Sequence, residues 1–389
     1  MFGGDAESWQ LDLKNPVRGQ AVKGQLRFWW RTMQNEVDPE KLLRKENTLW
    51  GGKVGESSQK RSRIKSPVSL SISDYDIDEK NIVMAEMANN YAVKSEVIPS
   101  NVLFPITHEV KNDASIHFIK EMSFTLNISY PESNEPDVLN TLKLWTLFGG
   151  VGARTRRGTG SIYCEELFQE FNAETDIVNF LKKISDGGKN QLAYPRIGGM
   201  ALYTSKGSGK PAPDWHSFLE NYGGYRQDRR PGKPRPGRSH WPEPDAIRRI
   251  TNTWSPGHEP VHSDGEWFPR AAFGLPILVK FITRGDPGQG SEVNIEPDIG
   301  SGERYPSPVI LKVIKLANGT VLKCALVLNQ KFPERLKLKV NRRDIPLNEQ
   351  ALPFHEDYKK NKTMRIGHPL NGDSIYENLA SHLGLKEVK

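Results

Sequence analysis

The thirteen residues 149–161, GGVGARTRRGTGS, hold five glycines and three arginines and follow directly on the apolar run LWTLF. No helix or sheet interior accommodates such a run, so the apolar segment before it must stop and the chain must turn. Gly150, Gly152 and Gly158 let a ligand approach the main chain closely. Arg154, Arg156 and Arg157 make the expected guest anionic, held by backbone N–H groups and guanidinium forks. The competing reading is a flexible surface hairpin with solubilising charges.

Small nucleotides fit the sequence poorly. A Walker loop needs Gly-Lys followed by Ser or Thr, but Gly209-Lys210 is followed by Pro211 and Gly52-Lys53 by Val54. The dinucleotide fingerprint fails on glycine spacing, and an apolar helix instead of a strand precedes the loop. The net charge of +7 is moderate, yet basic residues gather at 18–31, 154–157 and 226–238. That distribution favours a polyanion over a membrane surface.

At 389 residues, two domains are expected, with a boundary near residues 171 and 172. Cys164 and Cys324 have no spacing for zinc or a disulfide framework, which fits a reducing cytoplasm; no metal or cofactor is expected. The start MFGGDAESWQ lacks a basic and an apolar leader region. Pro276 and Lys280 interrupt the most apolar later stretch, so neither secretion nor a membrane span is expected.

Residues 22–37 read as an amphipathic helix with Val22, Leu26, Trp29, Trp30, Met33 and Val37 on one side. The wheel places Lys23, Arg27 and Arg31 in a line on an adjacent face. No acid alternates with them before Glu36, so their repulsion goes uncompensated unless an anion sits there. Trp30 borders this stripe, open either to core packing or to stacking on a base.

Residues 68–72 and 123–128 alternate as half-buried strands do, with 118–122 leading into the second. Pro136 opens a well-buried second helix, and 161–167 reads as a short strand after the loop. Helix, strand, strand, helix, strand suits a split βαβ sandwich of α+β class. Farther on, 192–204 looks extended, 215–222 and 244–251 look helical, and 273–283, 309–316 and 321–329 look like strands. Asn318-Gly319 supplies a hairpin turn between the last two. The segment 226–238, with six basic residues against one acid and several Pro and Gly, excludes regular structure. It is either a solubilising loop or one that orders on nucleic acid.

VKGQLRFWWRTM (22–33), LFGGVGARTRRGTGS (147–161), WPEPDAIRRIT (241–251), FPRAAFGLPI (268–277) and RYPSPVILK (304–312) together resemble the first-numbered RAMP subunit of type III-B CRISPR effector complexes, the Cmr complexes. This resemblance implies two tandem ferredoxin-like (RRM-like) RAMP domains with irregular insertions, spanning 1–171 and 172–389. It also implies a place at the cap of a ribonucleoprotein, beside other RAMP subunits, near the 3′ portion of guide RNA and the matching end of target RNA. Target cleavage in that family belongs to the repeating backbone subunit, which makes this chain a binder. Against the family pattern, an opening strand ahead of MFGG is missing.

An alternative is a metal-independent CRISPR RNA endoribonuclease with a His as general base. His108 and His117 are the histidines of the first half, and Asp5 and Asp12 lie near the segment where relatives place a cleaving Asp. His258-Glu259-Pro260-Val261-His262 spells HExxH, but Pro260 denies the two histidines a shared helical face. The expected interface is therefore one basic wall of Lys23, Arg27, Arg31, Arg154, Arg156 and Arg157 against an RNA backbone, positioning RNA without reading its bases. Arg270, in the FPRAAF motif, is expected to touch RNA or a neighbouring subunit.

Overall fold

The computed structural model describes residues 1, 10–54, 62–88, 92–94, 97–99, 101–102, 116–185, 191–192, 194–228, 238–261, 267–290, 292–298, 304–341, 343–347 and 374–388. Helices and several small sheets alternate along the chain, an α+β architecture. Two compact units emerge: residues 1–220, 310–329 and 385–389 form the first, and 221–309 and 330–384 the second. Residue 171, where the sequence suggests a boundary, lies inside the first unit.

In the first unit, α1 (Gly19–Met33) packs against α2 (Pro39–Trp50) and α3 (Glu135–Phe148). Val22, Leu26, Trp29, Trp30 and Met33 of α1 join Val138, Leu142, Trp145 and Phe148 of α3 in one core. Val37 is exposed instead, because α1 ends at Met33. Two contacts from farther along the chain pin that end: Arg196 Nε donates to the Gln34 carbonyl at 3.1 Å, and Tyr194 Oη to that of Glu36 at 2.5 Å.

The sequence reading has no α2, yet its start is well marked. Asp38 caps the helix by accepting from the Glu40 and Lys41 amides, and Pro39 takes the first helical position. Strand Ser69–Asp76 pairs antiparallel with Ser123–Ser129 beneath α1. Of residues 118–122, expected to lead into that strand, Phe118 and Ile119 instead belong to strand Ile116–Ile119, which pairs with Ile82–Ala88 in a separate sheet. After the glycine–arginine loop, 161–164 form no strand, and Glu165–Phe168 make a single helical turn, α4.

Helix α5 (Glu174–Ile184) adds Ile177, Val178 and Leu181 to the core, and the eleven-residue strand Arg196–Lys206 follows. It pairs with Val321–Asn329, itself beside Val309–Lys315, so these late strands return to the first unit. Asn318 and Gly319 make the expected turn, Gly319 having φ +83°. Helix α6 (Pro211–Gln227) begins in this unit.

The second unit has a sheet ordered Arg343–Pro346, Leu336–Val340, Glu292–Pro297, Ile277–Lys280. Its core combines Ile247 of α7 (Glu243–Thr251) with Phe268, Val293, Ile295 and Leu338. The strand expected over 273–283 is only Ile277–Lys280, because a 3₁₀ turn occupies Pro269–Phe273. Helix α8 (Ile375–His382) opens with a reciprocal cap between Ser374 and Glu377. No described helix is long and apolar enough to cross a membrane.

Candidate nucleic-acid interface

The line of Lys23, Arg27 and Arg31 forms on α1 as the periodicity predicts, but its countercharge comes from the chain itself. Glu46 of α2, with only 2% of its side chain exposed, sits 2.5 Å from Arg27 Nε and accepts from Arg31 Nη1 at 2.8 Å. Arg27 also reaches the Gly51 carbonyl at 3.0 Å and Asn47 Oδ1 at 3.1 Å. The expectation that compensation must come from a bound anion is thereby corrected. One acid serves two guanidinium groups, and these remain 29% and 37% exposed. Lys23 donates to the Val68 carbonyl at 3.4 Å; desolvation and then repulsion from Arg27 hold its pKa below the usual lysine range.

Trp30 is a second correction. It is 3% exposed, inside the core with Trp29, and no base can stack on it. Phe28 of α1 is partly buried against the core, and the Arg156 guanidinium lies 5.3 Å from its ring centre. This contact brings the glycine–arginine loop against the helix that carries the basic line.

The loop is a built object with defined internal bonds. Gly149 N closes α3 on the Trp145 carbonyl at 2.8 Å, the Val151 amide bonds to the Gly160 carbonyl at 2.9 Å, and Thr155–Arg157 form a 3₁₀ turn. Arg154 enters that turn in the left-handed region (φ 61°), and its Nε donates to the Val102 carbonyl at 3.2 Å. Gly158 leaves it at φ 75°, where a Cβ would lie 2.7 Å from Trp215 Nε1, the same nitrogen that donates to the Arg157 carbonyl at 2.7 Å. Gly150 and Gly158 are buried and serve this packing, which corrects their expected contact with a ligand; Gly152 is exposed.

Beneath the loop lies Lys312, from strand Val309–Lys315, which the sequence reading does not single out. It is 1% exposed, and its Nζ donates to the Gly149 carbonyl at 2.5 Å and to Ser161 Oγ at 2.8 Å. Burial pushes its pKa down to about 7. The only advance signal was a lysine flanked by apolar residues in a strand pattern.

Arg270 belongs to the second unit and has intramolecular partners there. Its Nε lies 3.1 Å from Glu243 Oε2, a carboxylate with no exposure, its backbone amide donates to Glu243 Oε1 at 2.7 Å, and its guanidinium lies 5.7 Å from the Trp241 ring centre. The expected Arg270 contact with RNA or a neighbouring subunit would have to form from a guanidinium already paired with Glu243. His258 of the HExxH string has Nδ1 2.8 Å from Asp286 and 2.9 Å from Ser255 Oγ, while Arg248 grips the same buried Asp286. Burial alone would raise the Asp286 pKa. The bonds from Arg248, His258 and the Ser255 amide outweigh burial and hold it down at about 2. This network ties residues 252–261 to the unit. His262 lies outside the described residues, and no cluster of three potential metal ligands occurs among those described.

Of the other candidates, Asp12 accepts from the Lys14 and Asn15 amides and from Arg18, as a turn-capping acid does; the Asn15 amide first and Arg18 second lower its pKa. Asp5, His108 and residues 229–237 of the basic segment lie outside the described residues. His117 lies on strand Ile116–Ile119.

Residues 1–163, the part of the chain that builds α1 and the loop, match the model of the RAMP superfamily. Similar solved structures include Cmr1 from Pyrococcus furiosus in its apo form, at 16% identity over 97% of this chain and 94% of that one, with a TM-score of 0.48. Two cryo-EM structures of the type III-B Cmr-beta complex bound to cognate target RNA also resemble it. One, which carries AMPPnP and was determined in the presence of ssDNA, has 15% identity over 80% and 88% of the two chains and a TM-score of 0.40. The other has 13% identity over 82% and 90% and a TM-score of 0.41. No curated protein matches the chain.

Proposed function

We propose that this chain is a non-catalytic, RNA-binding RAMP subunit of a type III-B CRISPR ribonucleoprotein, built on ferredoxin-like RAMP domains. It grips the backbone of the 3′ portion of guide RNA, the matching end of target RNA, or both, beside other RAMP subunits. The observation that carries this reading is the contact of the Arg156 guanidinium with the Phe28 ring, which joins the glycine–arginine loop to the helix that bears the basic line. The five sequence motifs, in order across both halves, support the type III-B assignment.

The charge balance favours a ligand that is long and negative. Lys23, Arg27, Arg31, Arg154, Arg156 and Arg157 supply six positive charges, and Glu46 is the shared counterion of Arg27 and Arg31. Guanidinium forks and a closed turn suit phosphate groups, which carry no sequence information, as arbitrary guides require.

On single-stranded RNA each phosphate contact adds about 0.7 to the slope of log affinity against log salt. Arg154→Ala, Arg156→Ala and Arg157→Ala together are expected to flatten that slope by about 2. An unchanged affinity and slope for guide-length RNA would overturn the loop assignment. Incubating purified protein with RNA, with and without divalent metal, tests the non-catalytic part; reproducible scission lost in Asp5→Ala would make the chain an endoribonuclease instead.

A further inference from the structure

We propose that Lys312 is the positioning residue of the glycine–arginine loop, tying its two ends together so that the arginines between them present a fixed cationic surface to RNA. The inference rests on the RNA-binding reading above and names a residue that touches no ligand.

Three features of the geometry support it. Gly149 and Ser161 are the first and last residues of the loop, and the Lys312 nitrogen bonds to both, at 2.5 and 2.8 Å. Ser161 Oγ in turn donates to the Gly158 carbonyl at 2.8 Å, so the tether reaches the residue that closes the Thr155–Arg157 turn. Finally, the nitrogen stands at the C-terminal end of α3, where exposed helix carbonyls favour a donor and a positive charge. A lysine with 1% exposure in a strand whose other buried residues are Val, Ile and Leu costs desolvation, so a purely structural site would be served as well by an apolar side chain. What an apolar side chain cannot do is hold a carbonyl and a hydroxyl from opposite ends of a loop. A neutral amine still has two N–H donors for these two acceptors, so the tether holds in either protonation state.

The test compares the parent with Lys312→Met, close in length and apolar, and with Ser161→Ala, which removes one of the two acceptors and leaves the lysine. Hydrogen exchange is read separately at 150–161 and at the α3 and 196–206 amides, alongside affinity for a guide-length single-stranded RNA. In Lys312→Met the loop amides are expected to exchange about tenfold faster and RNA affinity to fall at least fivefold, with α3 and strand amides protected as in the parent. Ser161→Ala should show a smaller change of the same kind. Loop protection and affinity both equal to the parent in the two variants would overturn the proposal, as would a loosened loop that binds RNA unchanged. The Arg154, Arg156 and Arg157 triple Ala variant, measured in parallel, separates the two readings. If it too binds like the parent, the loop is not the RNA contact. If it alone loses binding, the loop reading stands and the role of Lys312 is wrong.

Discussion

Arg31 Nη1 sits 2.8 Å from both carboxylate oxygens of Glu46, an acid contributed by the neighbouring helix and almost wholly enclosed. The basic line on α1 is therefore a held array, kept straight by an internal counterion. Glu46→Gln should lower stability by about 1–3 kcal/mol, since a buried charged hydrogen-bond partner is lost. The same change releases one unit of competing negative charge beneath the line, so RNA affinity at low salt is expected to rise in the folded fraction. Denaturant melts with salt-dependent RNA titrations check both effects; weaker binding by fully folded Glu46→Gln would remove α1 from the interface.

Gly160 tests how tightly the loop is closed. Its φ is +59°, and an added Cβ would fall 1.8 Å from the Val151 carbonyl oxygen, where no side chain fits. Gly160→Ala combines the left-handed penalty of about 1–2 kcal/mol with that clash. It should lower the melting temperature and open the Val151 to Gly160 hydrogen bond, read as faster exchange of the Val151 amide. Gly209→Ala, where φ is +89° with open space around it, carries the backbone penalty alone and should destabilise less.

Lys312 gives stability a pH dependence of defined sign. Its pKa is about 7 in the fold against 10.5 for an ordinary lysine. Between those values the unfolded chain holds the proton and the folded chain does not, so stability rises with pH across this window. The slope approaches the one-proton limit of about 1.4 kcal/mol per pH unit. Below about pH 7 both states are protonated and this contribution is flat. Chemical denaturation of parent and Lys312→Met from pH 6 to 10 checks it: the difference between their profiles should show the rise.

Arg270 separates a structural arginine from a ligand-binding one. With Glu243 wholly buried against it, Arg270→Ala leaves an uncompensated carboxylate and should cost about 3–5 kcal/mol. The salt slope for RNA binding, measured where the variant is folded, is expected to equal that of the parent. A flatter slope would return Arg270 to the interface.

How far the sequence could be read follows from what each feature depends on. The α1 stripe, the start of α3 near Pro136 and the Asn318-Gly319 turn were legible because each follows from a repeat or from turn chemistry within a few residues. Helix α2 was equally legible in its Asp38-Pro39 cap and went unread, and with it went Glu46.

The sequence by itself determined that a glycine-rich, arginine-bearing turn follows a buried helix and that a basic line runs along an amphipathic one, since both rest on local backbone preference and periodicity. Only the tertiary structure decided that Trp30 packs inward, that Glu46 clamps Arg27 and Arg31, that Phe28 receives Arg156, and that Lys312 closes the loop from 151 residues beyond it. Those relationships join side chains far apart in the chain, and a charge or an aromatic ring finds its partner only when packing of separate elements sets the distance between them.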